Sequence, residues 1–219
     1  MESQITEFIT QELSESYAVK KNLLEDASVL QTLKDICREC VRVYRAAGKM
    51  MIAGNGGSAA DAQHIAAEFV GRFYFDRPSL PALALTTDTS MLTAIGNDYG
   101  YNQVFARQIQ GQGVKGDIFV GISTSGNSPN IVEAVNRCRE MGIITVGLTG
   151  GKDNLLEKAC DYCIKVPSLN TPRIQEAHTT IGHIICGFVE QALFAPQCSL
   201  ETPAAVAQTA VAQLVGQNW

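Results

Sequence analysis

Two stretches at the start of the chain, residues 2–24 and 29–46, carry apolar residues at helical spacing and no strong breaker. Ile5, Phe8, Ile9 and Leu13 form one stripe; Leu30, Leu33, Ile36, Val41 and Val43 form the next. That period predicts two helices before any strand. An apolar hairpin of this kind needs a surface to pack on, either its own sheet or another subunit. From residue 49 the pattern changes to short apolar runs at 49–53, 82–86, 117–122, 143–148 and 162–166. Between them lie segments of helical period: 58–73, 89–96, 101–111, 128–141, 154–159 and 173–194. Strands alternating with helices give a parallel sheet covered on both faces. The expected class is α/β: a flavodoxin-like open parallel five-stranded sheet with helices on both faces, preceded by an N-terminal helical hairpin. Ligands of such sheets sit beyond the strand C-terminal ends. The segment 195–219 is Ala/Gln/Val-rich and nearly uncharged, with Thr202-Pro203 as a helix start and Gly216 as a stop. It predicts a short helix or a frayed tail and carries no chemistry.

Composition narrows the function classes. The 219 residues are 46% hydrophobic and 18% charged, enough for one domain with a full core. A net charge of −5 gives no basic face, so nucleic acid is a poor default partner. No run reaches 18 apolar residues, so no membrane span is expected. The N-terminus lacks the basic start and apolar middle of a signal peptide, and a cytoplasmic protein is expected. The seven cysteines include two C-x-x-C pairs, Cys37/Cys40 and Cys160/Cys163. Neither has zinc-ribbon spacing or opens a helix after a strand, so buried reduced thiols are the better reading.

Two strand ends carry the chemistry. After the third strand comes Ser123-Thr124-Ser125-Gly126-Asn127-Ser128; after the first comes Gly54-Asn55-Gly56-Gly57-Ser58. A hydroxyl-rich loop running into a helix start gathers O–H donors and free N–H groups around one point, which is an anion site with phosphate as its natural occupant. Glycines in the other loop let the backbone approach a ligand. There is no Walker loop and no G-x-G-x-x-G spacing, so a nucleotide cofactor is not supported. His64, Glu68 and Arg72 recur at i, i+4 and i+8, which suits a metal-chelating His–Glu pair as well as a surface ion pair. The other two histidines, His178 and His183, share one helix. Ile181, Ile184 and Ile185 surround His183 with apolar neighbours, which points to burial and to a carboxylate or metal partner. Asn97-Asp98 reads as a polar turn, with Asp98 able to bond a sugar hydroxyl or simply to shape the turn.

With these residues assembled, the chain resembles the sugar isomerase (SIS) domain family. Asp61-Ala-Gln-His64-Ile-Ala-Ala-Glu68, Gly96-Asn97-Asp98 and Arg173-Ile-Gln175…His183 make it similar, within that family, to the phosphoheptose (sedoheptulose 7-phosphate) isomerases over about residues 1–194. The resemblance implies interconversion of sedoheptulose 7-phosphate and D-glycero-D-manno-heptose 7-phosphate through an enediol. That reaction is the entry to nucleotide-activated heptose for lipopolysaccharide and related surface polysaccharide. It implies Asn55, Gly56, Gly57, Glu68, Asn97, Asp98 and Gln175 at substrate and Ser123, Thr124, Ser125 and Ser128 at its phosphate. It implies zinc on His64, Glu68, Gln175 and His183, Glu68 and His183 as the acid–base pair, and a homotetramer with active sites at subunit interfaces. Gln175 and His183 lie about 12 Å apart along a continuous helix. Either Gln175 precedes the first regular turn, helped by Pro172, or the ligands come from different subunits. Two further readings stand beside this one: a non-catalytic SIS protein that binds a sugar phosphate or a replication initiator, and an isomerase of another phosphosugar. The presence of Glu68 and His183 favours the enzyme.

Overall fold

A computed structural model describes residues 1–195; the predicted tail helix lies outside the described residues. The chain opens with α1 (Glu2–Glu25) and α2 (Ala27–Arg45). Asp26 divides them, its carboxylate accepting the N–H groups of Ser28 and Val29 as the cap of α2. There follow β1 (Met50–Gly54), α3 (Gly57–Val70), β2 (Ala82–Ala84), α4 (Thr89–Tyr99), a 3₁₀ turn at Tyr101–Gln103 and α5 (Val104–Gln112). The last elements are β3 (Ile118–Ser123), α6 (Pro129–Met141), β4 (Ile144–Thr149), α7 (Leu155–Ala159), β5 (Tyr162–Lys165) and α8 (Thr171–Phe194).

The five strands pair in parallel in the order β2-β1-β3-β4-β5, the predicted flavodoxin-like arrangement. Every residue of β1 and β3 is buried, as a sheet covered on both faces requires. One face packs on α2, α3 and α8, through residues such as Ile36, Phe69, Ile181 and Ile185. The other packs on α5, α6 and α7, through Phe105, Ile109, Ile131 and Leu156. The order reverses between β1 and β3, where Gly54 stands beside Ile122. The two loops singled out in the sequence therefore leave the sheet side by side, at the crevice where this topology places its ligands.

Two expectations change, and of the two surfaces left open for the α1 stripe one is excluded. The helix predicted to Phe73 ends at Val70, because Gly71 stops it and an irregular arm follows to Pro81. Asn97 and Asp98 lie in the last turn of α4, not in a turn after it. The stripe of α1 does not pack on its own sheet: Phe8 is 63% and Leu13 67% exposed, and only Val19 and Leu23 of α1 are buried. Among the described residues six cysteines are free; Cys37, Cys40, Cys138 and Cys186 are buried, and burial pushes the Cys186 thiol up to about 12. Among the described residues, no helix is long and apolar enough to cross a membrane.

Candidate active site

The hydroxyl loop is built by bonds among near neighbours. Ser123 Oγ lies 2.8 Å from Ser128 Oγ and 3.3 Å from Ser125 Oγ. Ser125 Oγ accepts the Asn127 N–H at 3.2 Å. Ser128 caps α6 by position only: its hydroxyl faces Ser123 and makes no bond to the helix, and Pro129 follows in the first turn. Pro129 has no N–H, and those of Ile131 and Val132 bond the Ser128 carbonyl, so the helix start offers the loop the Asn130 N–H and its positive dipole end. Gly126 has φ +64°, and a Cβ there would collide with the side chain of Asn154. This loop needs glycine at that position on both counts. Beside it Thr124, Ser125, Gly151, Lys152, Ser168 and Thr171 line a cleft of ≈ 130 Å³, and Lys152 adds the one cation of that wall. A wider concavity of ≈ 430 Å³, walled by Glu39, Arg139, Asp161 and Tyr162, sits at the opposite end of the strands. Its volume is greater, but it gathers neither hydroxyls nor imidazoles, so the donors and not the volume locate the site.

The glycine loop is tied to the hydroxyl loop by a residue the sequence reading missed. Asn55 and the buried Asn130, on α6, exchange amide bonds of 3.0 and 2.9 Å. Tyr101 Oη donates to Asn55 at 3.3 Å, bringing the end of the α4 segment to the same loop. An asparagine at the second position of a helix beginning Pro129-Asn130 reads as an ordinary turn residue, so only its burial reveals this role. Asn97 and Asp98 are exposed and bonded to each other at 2.7 Å. Gly56 and Gly57 open α3, and the Gln175 side chain lies directly against Gly57.

The two helices α3 and α8 run side by side from this point. Thr179 Oγ1 donates to Asp61 Oδ1 at 2.8 Å. One turn further, His64 Nε2 and His183 Nε2 stand 2.7 Å apart. Glu68 Oε1 lies 3.6 Å from His64 Nε2, and the three ligand atoms fall within 4.8 Å of one another. Two imidazole nitrogens and a carboxylate aimed at one point form a donor set suited to a divalent cation. The spacing at 64 and 68 did predict a shared face; that His183 completes the group could not be read from spacing.

Gln175 is not in that group within one chain. It belongs to the regular part of α8, two turns before His183, with its amide at Gly57, so it does not precede the first regular turn. The burial expectation for the two histidines of α8 is reversed. His183 is half-buried, because Ile184 beside it faces outward, while His178 is fully buried. His178 Nε2 lies 3.2 Å from the Thr149 carbonyl at the end of β4, and burial holds its imidazole down at about 4. It is a neutral tie between α8 and the sheet. Asp61 is raised by partial burial, with Thr179, His64 and His183 opposing.

Comparison with known proteins gives the chain's family and agrees with its fold. Residues 15–150 match the model of the SIS domain. The chain is 57% identical over 190 residues to a phosphoheptose isomerase of Aneurinibacillus thermoaerophilus, spanning 87% of this chain and 96% of that protein. The solved phosphoheptose isomerase of Neisseria gonorrhoeae superposes with a TM-score of 0.80 at 38% identity, over 85% of this chain and 99% of that one. That of Francisella tularensis gives 0.81 at 33%, over 85% and 98%.

Proposed function

The chain belongs to the phosphoheptose isomerase family of SIS-domain proteins, and on that premise we propose that it interconverts sedoheptulose 7-phosphate and D-glycero-D-manno-heptose 7-phosphate. The observation that carries this reading is the convergence of His64, Glu68 and His183 in the α3–α8 groove that starts from the loops leaving the sheet at its switch point. We read residues 1–194 as one SIS domain, its N-terminal hairpin at 1–46.

Ser123, Thr124, Ser125 and Ser128 hold the phosphate through hydroxyls and the α6 N-terminus, which lets a chain of net charge −5 bind an anion. Asn55, Gly56, Gly57 and Gln175 orient the sugar chain, with Asn97 and Asp98 bonding hydroxyls. Glu68 takes a proton from C1 while His183 protonates O2, giving the enediol; the proton then returns to C2 as O1 loses its own. One base and one acid near neutral pH suit a carboxylate and an imidazole. His64, Glu68 and His183 would hold zinc, joined by Gln175 only if a neighbouring subunit supplies it. Zinc bound there would polarise the sugar oxygens. The exposed stripe of Ile5, Phe8, Ile9 and Leu13 supports a homotetramer in which α1 packs on other subunits. We place the protein in the cytoplasm, supplying heptose for lipopolysaccharide.

The test is turnover of sedoheptulose 7-phosphate with and without a chelator, alongside metal analysis. We expect conversion, with bound zinc near one per chain and activity lost on its removal. No conversion would sink the enzyme reading. Full activity after complete metal removal would reduce zinc to a bystander.

A further inference from the structure

Arg77 and Glu190 form an ion pair sealed inside the protein, their side chains 2% and 0% exposed and Nε to Oε1 3.1 Å. A buried pair of this kind is poor evidence of stabilisation, since apolar replacements are often as stable. What the pair holds is more informative. Arg77 donates to the carbonyls of Phe69 at 2.6 Å, Glu68 at 2.8 Å and Pro78 at 3.0 Å. The first two belong to the last turn of α3, where carbonyls lack helical partners. Glu190 accepts the N–H groups of Phe73 at 2.8 Å and Tyr74 at 2.6 Å. Phe73 in turn sets its ring 5.4 Å from the His183 ring. Gly187, between His183 and Glu190, makes room for this arm: a Cβ there would stand 2.7 Å from the Tyr74 ring. The pair therefore grips the backbone of Glu68 on one side and the wall of His183 on the other.

We propose that Arg77 and Glu190 are positioning residues for the isomerisation, fixing Glu68 and, through Phe73, His183 at the separation that proton transfer requires. This rests on Glu68 and His183 being the acid–base pair. Proton transfer needs heavy atoms within about 2.6–3.2 Å, and a 1 Å misplacement costs roughly 100-fold in rate. The phosphate loop hangs on β3 and α6 and does not depend on this clamp.

The experiment measures kcat and KM for sedoheptulose 7-phosphate, well below each unfolding transition, in Arg77→Met, Arg77→Lys, Glu190→Gln and the double variant Arg77→Met/Glu190→Met. Ile109→Ala, in the core on the other face of the sheet, serves as a destabilised control. The expected result is a kcat about 100-fold lower in Arg77→Met with KM within threefold, partial recovery in Arg77→Lys, and an unchanged kcat in the control. If Arg77→Met fails to fold because it strands the buried Glu190 carboxylate, the double variant carries the test, since it removes both charges together. Normal kcat in the folded variants, or a change confined to KM, overturns the proposal. Glu68→Gln run in parallel separates the two failures. If it keeps normal turnover, the acid–base assignment falls and takes the proposal with it; if it is dead while the clamp variants are normal, only the clamp is wrong.

Discussion

The hydroxyl loop and the α3–α8 groove are made in opposite ways. The loop's serine hydroxyls bond one another within five positions, as between Ser123 and Ser128, and only its backbone and Asn127 reach further, to Gly150, Leu155 and Leu156 on the adjoining segment. The groove is tied by contacts across the chain: Asp61 to Thr179 over 118 positions, His64 to His183 over 119 and Arg77 to Glu190 over 113. Such a loop can keep its shape while α3 and α8 shift, because its partners are its own turn residues and the segment after β4, not those two helices. A groove between two helices exists only when the core behind it is packed. Affinity for the phosphate end and the rate of proton transfer should therefore fail separately.

The strongest way to break the comparison is Glu68→Gln. Loss of a general base costs roughly 10²- to 10⁴-fold, or about 3–5 kcal/mol in the barrier. We expect kcat to fall by that much while sugar-phosphate binding, followed by calorimetry, stays nearly constant. Weakened binding with preserved kcat would show that Glu68 belongs with the anchoring half.

His178 joins the two regions by linking α8 to the end of β4, and it should reveal itself in stability against pH. Its folded value lies below the ordinary 6.5, at about 4, so the unfolded chain takes up the proton first as pH drops. The contribution is fully present above about pH 6.5 and is lost as pH falls toward 4, by about 3 kcal/mol. Urea unfolding across that window should show the slope, and His178→Gln should lack it. The buried Glu190 acts elsewhere on the scale. Burial would raise its carboxyl, but the Phe73 and Tyr74 N–H donors and Arg77 outweigh that and hold it below the usual glutamate range. Its stabilisation is present above the ordinary glutamate value and is lost only at lower pH.

The smallest effect sharpens the other side. Ser128→Ala removes one hydroxyl from the loop and one partner from Ser123, a loss of about 1 kcal/mol. KM should rise about fivefold with little change in kcat. A drop in kcat without a change in KM would mean the two regions are coupled.

The elements were legible because each has a strong period, and the strand order followed from strands alternating with helices. What the period left open and what it misread share one cause. Leu13 and its neighbours have the right period for burial, but period says nothing about which surface covers them. Ile181, Ile184 and Ile185 pointed to a buried His183, yet helix rotation turns Ile184 outward and sends His178 inward. Glu190 was a lone charge in an apolar stretch from Ile184 to Phe194, a signal of a buried partner that period reading passed over.

The sequence by itself determined the anchor. Ser123 to Ser128 lie contiguous between a strand and a helix, so local turn chemistry and the helix N-terminus make an anion site wherever that unit folds. Only the tertiary structure decided the reacting end. His64, Glu68 and His183 meet because α3 and α8 pack on one face of the same sheet, and Arg77 and Glu190 meet because that packing buries two opposite charges against each other. Such encounters depend on helix rotation and long-range contact, which no local pattern along the chain records.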